Sequence, residues 1–213
     1  MRAVIAEQLD SLESYQLREA PRPVPAPHEI LIRVAACGVG YVDALVALGR
    51  YQVKPPVPHT PGQEVSGTVE AVGEKVSGFA VGDRVMAMGQ RGFADYAVAP
   101  AALSVPLPDG LSFEEGAALP LNYLTAWHGL KDRGALQAGE SVLVFGAAGG
   151  VGSAAIQVAK ALGATVVAAA STPEKRDFAL SVGADAVIDV EPEGWRDRLK
   201  ALTFIQGSQA INA

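Results

Sequence analysis

Residues Ser141–Phe145 are an apolar run that passes directly into Gly146-Ala147-Ala148-Gly149-Gly150-Val151-Gly152 and then into small residues. A buried-type strand, a glycine turn and a helix in that order restrict the chain to a βα unit of a parallel sheet. Glycines permit positive φ and close approach of a pyrophosphate, while the new helix offers unpaired N–H groups and the positive end of its dipole. The spacing Gly146-x-x-Gly149-x-x-Gly152, with Gly150 extra, departs from the strict G-x-G-x-x-G fingerprint, so its weight depends on the elements C-terminal to it. A helix over 152–162, a strand over 165–170, a helix from Thr172 as N-cap with Pro173 first, and a strand over 186–189 complete the pattern.

The end of that second strand decides which dinucleotide fits. An NAD site usually places a carboxylate there for the ribose 2′-hydroxyl, about 20 residues after the turn. Here the residues are Ala168-Ala169-Ala170-Ser171-Thr172, with Lys175 and Arg176 close behind. A hydroxyl and cations suit a 2′-phosphate, so NADPH is expected over NADH.

Proline divides the chain. Twelve of 14 prolines lie at or before Pro120, and only Pro173 and Pro192 lie beyond. Residues 1–120 read as short strands between turns: Glu29–Cys37, Glu64–Val72, a run from Arg84 and another over 93–98. Residues 21–27 alternate with proline and are expected as extended backbone outside a sheet. Ser112 and Glu115 form a capping-box pattern for a helix ending near Pro120, and a second helix is expected over 122–133. The expected fold is therefore α/β, a compact β domain or partial barrel over 1–120 joined to a nucleotide-binding unit of βαβ pattern over 121–213.

Composition excludes several classes. With 17 Lys+Arg against 23 Asp+Glu the formal charge is −6, which argues against a nucleic-acid footprint. No run of about 20 apolar residues marks a membrane span, and the N-terminus lacks a secretory pattern. The single cysteine, Cys37, excludes an intramolecular disulfide and a cysteine-built zinc lobe; a reducing cytoplasm is expected.

Five stretches together resemble the medium-chain dehydrogenase/reductase superfamily, in its zinc-free quinone oxidoreductase (zeta-crystallin-like) branch: residues 36–43 (ACGVGYVD), 61–67 (PGQEVSG), 81–85 (VGDRV), 119–127 (LPLNYLTAW) and 147–152 (AAGGVG). The resemblance covers roughly residues 1–203. It implies a GroES-like partial barrel, a Rossmann domain, and an active site in the cleft between them. It puts Asn122 and Thr125 near the nicotinamide, Gly146, Ala148, Gly149, Gly150, Val151 and Gly152 at the pyrophosphate, and Ser171, Lys175 and Arg176 at the ribose phosphate. Tyr41, Asp43 and Tyr51 are implied on the substrate side as catalytic candidates, Tyr51 as proton donor or packing residue.

Departures from the family pattern matter as much. The resemblance implies a cysteine and a histidine zinc ligand in metal-dependent relatives where this chain has Gly40 and Gln63, so no metal is expected, and His28, His59 and His128 are expected to be structural or exposed. Gly40 also stands where the branch commonly carries Asn. Relatives run to roughly 300 residues, and residues 204–213 lack the alternation expected of a fourth Rossmann strand. The nucleotide fold is expected to be incomplete, with its first strand an open edge that favours homo-oligomers. The expected function is hydride transfer from NADPH to a quinone without metal. The alternatives are an enone or enoyl reductase of the same fold, and a non-catalytic dinucleotide-binding module.

Overall fold

The computed structural model describes residues 1–89, 91–202 and 209–211, which divide into two compact units, Met1–Leu121 and Asn122–Ala213. In the first, five antiparallel strands take the order β6-β3-β4-β5-β7: β3 (Glu29–Cys37), β4 (Glu64–Val72), β5 (Arg84–Met88), β6 (Tyr96–Pro100) and β7 (Ser104–Pro106). β1 (Arg2–Ile5) and β2 (Gln16–Glu19) form a separate antiparallel pair. Alternate residues of β5 and β6 turn inward, and Ile30, Ile32, Val65, Val69, Val85, Ala87, Ala97 and Ala99 make one buried cluster. Two register shifts between β3 and β4, at Leu31/Ile32 and Val34/Ala36, mark the irregularities that bend paired strands into a half-barrel. Residues 21–26 stay outside any strand, as alternating prolines require.

Helix α1 (Tyr41–Ala47) starts at Gly40, whose N–H donates to the Asp43 carboxylate at 2.8 Å. Helix α2 (Phe113–Ala118) carries the capping box: Ser112 N–H donates to Glu115 at 2.8 Å and Glu115 N–H to the Ser112 hydroxyl at 3.1 Å. The helix expected over 122–133 differs. α3 (Pro120–Trp127) begins with Pro120 in its first turn, and residues His128–Arg133 continue as a π-helical turn. Pro120 has no N–H to lose at a helix start, so the earlier beginning is favourable.

The second unit is a four-stranded parallel sheet of order β10-β9-β8-β11, with β8 (Ser141–Phe145), β9 (Thr165–Ala169), β10 (Ala186–Ile188) and β11 (Gln209–Ile211). Helices α4 (Gly150–Ala161), α5 (Pro173–Ser181) and α6 (Trp195–Ala201) connect them. Val142, Val144, Ile156, Ala159, Val166 and Ala168 lie in the main buried cluster, and Leu143, Val167 and Ile188 in a second one against Trp195 and Leu199. Val- and Ala-rich strands buried on both faces are what a parallel sheet demands.

Contrary to expectation, β8 is not an open edge: Gln209, Ala210 and Ile211 pair in parallel with Val142, Leu143 and Val144. Backbone pairing needs no Val/Asp alternation, so the composition of this segment conceals a strand. Self-association through an exposed β8 edge loses its ground. The remaining residues of the segment expected to be atypical, 204–208 and 212–213, lie outside the described residues. α6, which carries no strong pattern in the sequence, rests Trp195 edge-on against Phe145. Among the described residues no helix is long and apolar enough to cross a membrane.

Candidate functional site

Strand order reverses beside β8: the chain steps from β8 outward to β9 and β10 on one side, then returns to β11 on the other. A crevice at the carboxyl end of the strands at such a switch point is where open α/β sheets take ligands. The glycine turn sits there. Gly146 adopts φ 62°, and its carbonyl accepts the Gly149 N–H at 2.8 Å. Gly149 is the N-cap of α4 and offers no side-chain cap, so the first-turn amides meet whatever occupies the turn. Gly146, Gly149 and Gly150 are exposed, whereas Ala147 and Gly152 are buried. A Cβ at Gly152 would strike the Gly146 carbonyl and lie 2.8 Å from Ala147 Cα. The last glycine thus serves close helix-to-strand packing, and the earlier ones leave the cradle open. Ala148 and Val151 flank it, half-buried.

Asn122, in α3, packs against this turn: a Cβ on Gly150 would lie 2.8 Å from its Oδ1 and 2.9 Å from its Nδ2. Thr125, one turn along, is exposed. At the end of β9 the buried Ala168, Ala169 and Ala170 give way to exposed Ser171 and Thr172. The Thr172 hydroxyl accepts the Lys175 N–H at 3.4 Å, which starts α5. Arg176 reaches back to donate to the Ala170 carbonyl at 2.9 Å, so its guanidinium is fixed at the strand end. Lys175 is exposed. The glycine cradle and the Ser171, Lys175 and Arg176 group therefore stand at the carboxyl ends of adjacent strands, β8 and β9.

The first unit holds a pocket of about 600 Å³ lined by Asp43, Tyr51, Lys54, His59, Gln63 and Arg91 among others. Of the three substrate-side candidates, Asp43 and Tyr51 meet there. Tyr41, 79% exposed in the first turn of α1, does not line it. Asp43 is structurally engaged: one carboxylate oxygen accepts Gly40 N–H at 2.8 Å and the other Gly62 N–H at 3.2 Å. It ties the start of α1 to the 61–63 segment.

Around Asp43 burial dominates the acid–base chemistry. It pushes the Cys37 thiol up to about 12, with Asp43 and Glu64 adding repulsion, so this sulfur stays protonated. Glu64 is also raised by burial, although its carboxylate accepts the Leu121 N–H at 2.9 Å. His59 is held below the ordinary imidazole range by burial and then by Arg91, with Asp43 opposing both. His28 is exposed, and His128 pairs with Asp132 at 3.1 Å. The sequence pattern marks neither His59 as a site residue nor Lys54 and Arg91 as its neighbours. The segment from Gln52 to Pro58 (QVKPPVP) carries no periodicity, so its proline-folded loop hides which side chains face inward. Among the described residues no group of three or more His, Cys, Asp or Glu is placed to hold a metal ion.

The comparisons with known proteins agree on the architecture. The model of the alcohol dehydrogenase GroES-like domain matches residues 26–109, and that of the zinc-binding dehydrogenase family matches 150–211. The second match carries through β11. Quinone oxidoreductase of Homo sapiens is 40% identical over 214 residues, 99% of this chain and 65% of that protein. A mycobacterial protein solved in complex with NADPH superposes with a TM-score of 0.84 at 34% identity, covering 95% of this chain and 63% of that one. An NAD-dependent alcohol dehydrogenase gives 0.87 at 34% identity, covering 95% and 67%. The chain thus spans about two thirds of the length of the proteins it matches.

Proposed function

Because the chain belongs to the medium-chain dehydrogenase/reductase superfamily, in its quinone oxidoreductase branch, we propose that it serves an oxidoreductase that passes hydride from NADPH to a quinone without metal. The carrying observation is the uncapped, exposed start of α4 at the strand switch point. Its fit to a dinucleotide is physical: the Gly149 N-cap leaves amides and a positive dipole end unanswered, and no side chain at Gly149 or Gly150 obstructs approach.

In this reading Gly146, Ala148, Gly149, Gly150, Val151 and Gly152 hold the pyrophosphate by backbone. Asn122 and Thr125 orient the nicotinamide end. Ser171, Lys175 and Arg176 meet the ribose phosphate. Since the similar structures include both an NADPH complex and an NAD-dependent enzyme, the preference for NADPH rests on this chain's own residues: no carboxylate at the end of β9, and two cations beside it. When bound, the reduced nicotinamide supplies the hydride; a proton from water or a side chain completes the hydroquinone. A quinone gains aromaticity in that step and needs little electrophilic help, so alignment and exclusion of water are the protein's main contribution. Gly40 and Gln63, which offer neither thiolate nor imidazole, fit chemistry of this kind. Tyr51, at the pocket, is the candidate proton donor, while Asp43 positions the α1 start and Tyr41 has no pocket role. The lone Cys37 suits a reducing cytoplasm.

The test is NADPH oxidation across a panel of quinones, with NADH in place of NADPH and with alkyl alcohols plus NADP⁺ as comparisons. Quinone-dependent oxidation that favours NADPH supports the reading. Turnover of alcohols that is lost on chelation would overturn it.

A further inference from the structure

The charges around the pocket of the first unit are lopsided. Its carboxylate, Asp43, has both oxygens occupied by the Gly40 and Gly62 amides. Its cations are Lys54 and Arg91, and among the described residues neither has an ion-pair partner. Arg91 lines the pocket from a left-handed backbone position, φ 64°, uncommon for a non-glycine residue. Its charge is close enough to hold down protonation of His59, an independent sign that it faces the pocket. The rest of the lining is neutral and largely apolar, with Val46, Val53 and four prolines. A chain of formal charge −6 thus keeps a cationic, proline-walled cavity.

We propose that Lys54 and Arg91 select acceptors bearing a fixed negative charge: a planar quinone with a carboxylate or comparable anionic substituent, its rings against the proline walls and its anion at the two cations. The proposal rests on the quinone reading and adds the substrate's charge to it. An anion in a cavity lined by two cations without ion-pair partners is attracted to both, and because Lys54 and Arg91 are exposed that attraction is weakened by salt.

The experiment compares a naphthoquinone carrying a propionate side chain with the methyl ester of the same compound, so that ring size and redox potential are shared and charge alone differs. At saturating NADPH, wild type is expected to show a kcat/KM for the acid about tenfold above that for the ester at low salt, shrinking as salt rises. The variant Lys54→Gln/Arg91→Gln should lose that preference while its kcat/KM for the ester stays within about twofold. Equal use of acid and ester by wild type, or a preference that survives the double variant, overturns the proposal. Equilibrium binding of the acid to wild type and variant is measured alongside. If no quinone is turned over yet the acid binds wild type and not the variant, the anion site stands and the quinone reading falls. If the acid binds both alike or neither, the anion site falls. Lys54→Gln alone, in an exposed loop, gives the same readout at smaller size should the double variant fail to fold.

Discussion

Glu64, at the start of β4, accepts a hydrogen bond from the backbone amide of Leu121 at 2.9 Å across a sequence separation of 57 residues. Leu121 is in the first turn of α3, immediately before Asn122, so a buried carboxylate in the half-barrel secures the amide at the head of that helix. A negative charge near a helix start is favourable, but burial and the nearby Asp43 oppose it and raise the carboxyl.

Two substitutions separate these effects. Glu64→Ala leaves the Leu121 amide without its acceptor and should cost about 1–3 kcal/mol. Glu64→Gln keeps an oxygen acceptor and removes the buried charge, so its stability near neutral pH should lie within about 1 kcal/mol of wild type. Urea unfolding midpoints of the three proteins check this; equal loss in both variants would show that the charge, not the hydrogen bond, matters.

Gly150 and Gly152 should respond differently to the same added methyl. At Gly150 the atoms nearest the new Cβ are Oδ1, Nδ2 and Cγ of Asn122, the end of a side chain that shifts at the cost of its own interactions and without moving backbone. Gly150→Ala should fold normally and bind NADPH about tenfold more weakly, because the cradle narrows and Asn122 is displaced. At Gly152 the Cβ meets backbone of Gly146 and Ala147, which cannot move cheaply. Gly152→Ala should lose about 1–3 kcal/mol of stability. Thermal unfolding and cofactor titration together distinguish the two.

Lys175 is exposed at the end of β9, whereas Arg176 also holds the Ala170 carbonyl. Lys175→Ala should weaken NADPH by about tenfold or more and leave NADH unchanged, since a charge-assisted contact is worth about 1.5–3 kcal/mol. Arg176→Ala should in addition lower stability. Paired titrations with the two reduced cofactors test the difference, and an equal effect on both would place these cations outside the ribose site.

His59 gives a pH dependence of defined sign. Burial, then Arg91, lowers its proton affinity below the ordinary value of 6.5, with Asp43 partly opposing. As pH falls past that value the unfolded chain takes up the proton first, so the stability associated with neutral His59 is present above it and is lost toward the lower folded-state value. Wild type should therefore lose more stability between about pH 7 and 5 than His59→Gln does. The ring lies 6.3 Å from Tyr15, so the comparison is made on slopes and not absolute stabilities.

Much of this architecture is legible in the sequence, for reasons that differ by element. β3 and β4 show as β-branched, apolar runs because their side chains pack one core. The capping box at Ser112 and the Thr172-Pro173 start of α5 show because local hydrogen bonding dictates those residue types. The glycine turn shows because few other residues tolerate its geometry. What stays hidden depends on distant contacts: β11 is defined by pairing with β8, Lys54 and His59 reach the pocket from a loop whose prolines erase any period, and Arg91 reaches it from the separate connection between β5 and β6.

Gly40 offers the last test. It stands where relatives in this branch are expected to carry Asn, and its backbone, at φ −105° and ψ 159°, is open to any residue. A Cβ there would lie 3.5 Å from the Asp43 carboxylate and 4.0 Å from a Leu121 methyl, both ordinary contacts. Gly40→Asn should thus leave stability within about 0.5 kcal/mol. If the missing amide is a polar group that orients the acceptor, quinone turnover should rise several-fold at unchanged NADPH affinity. Stopped-flow reduction at saturating NADPH measures that step directly. An unchanged rate with an intact fold would mean that the pocket of this chain orients its acceptor by other groups.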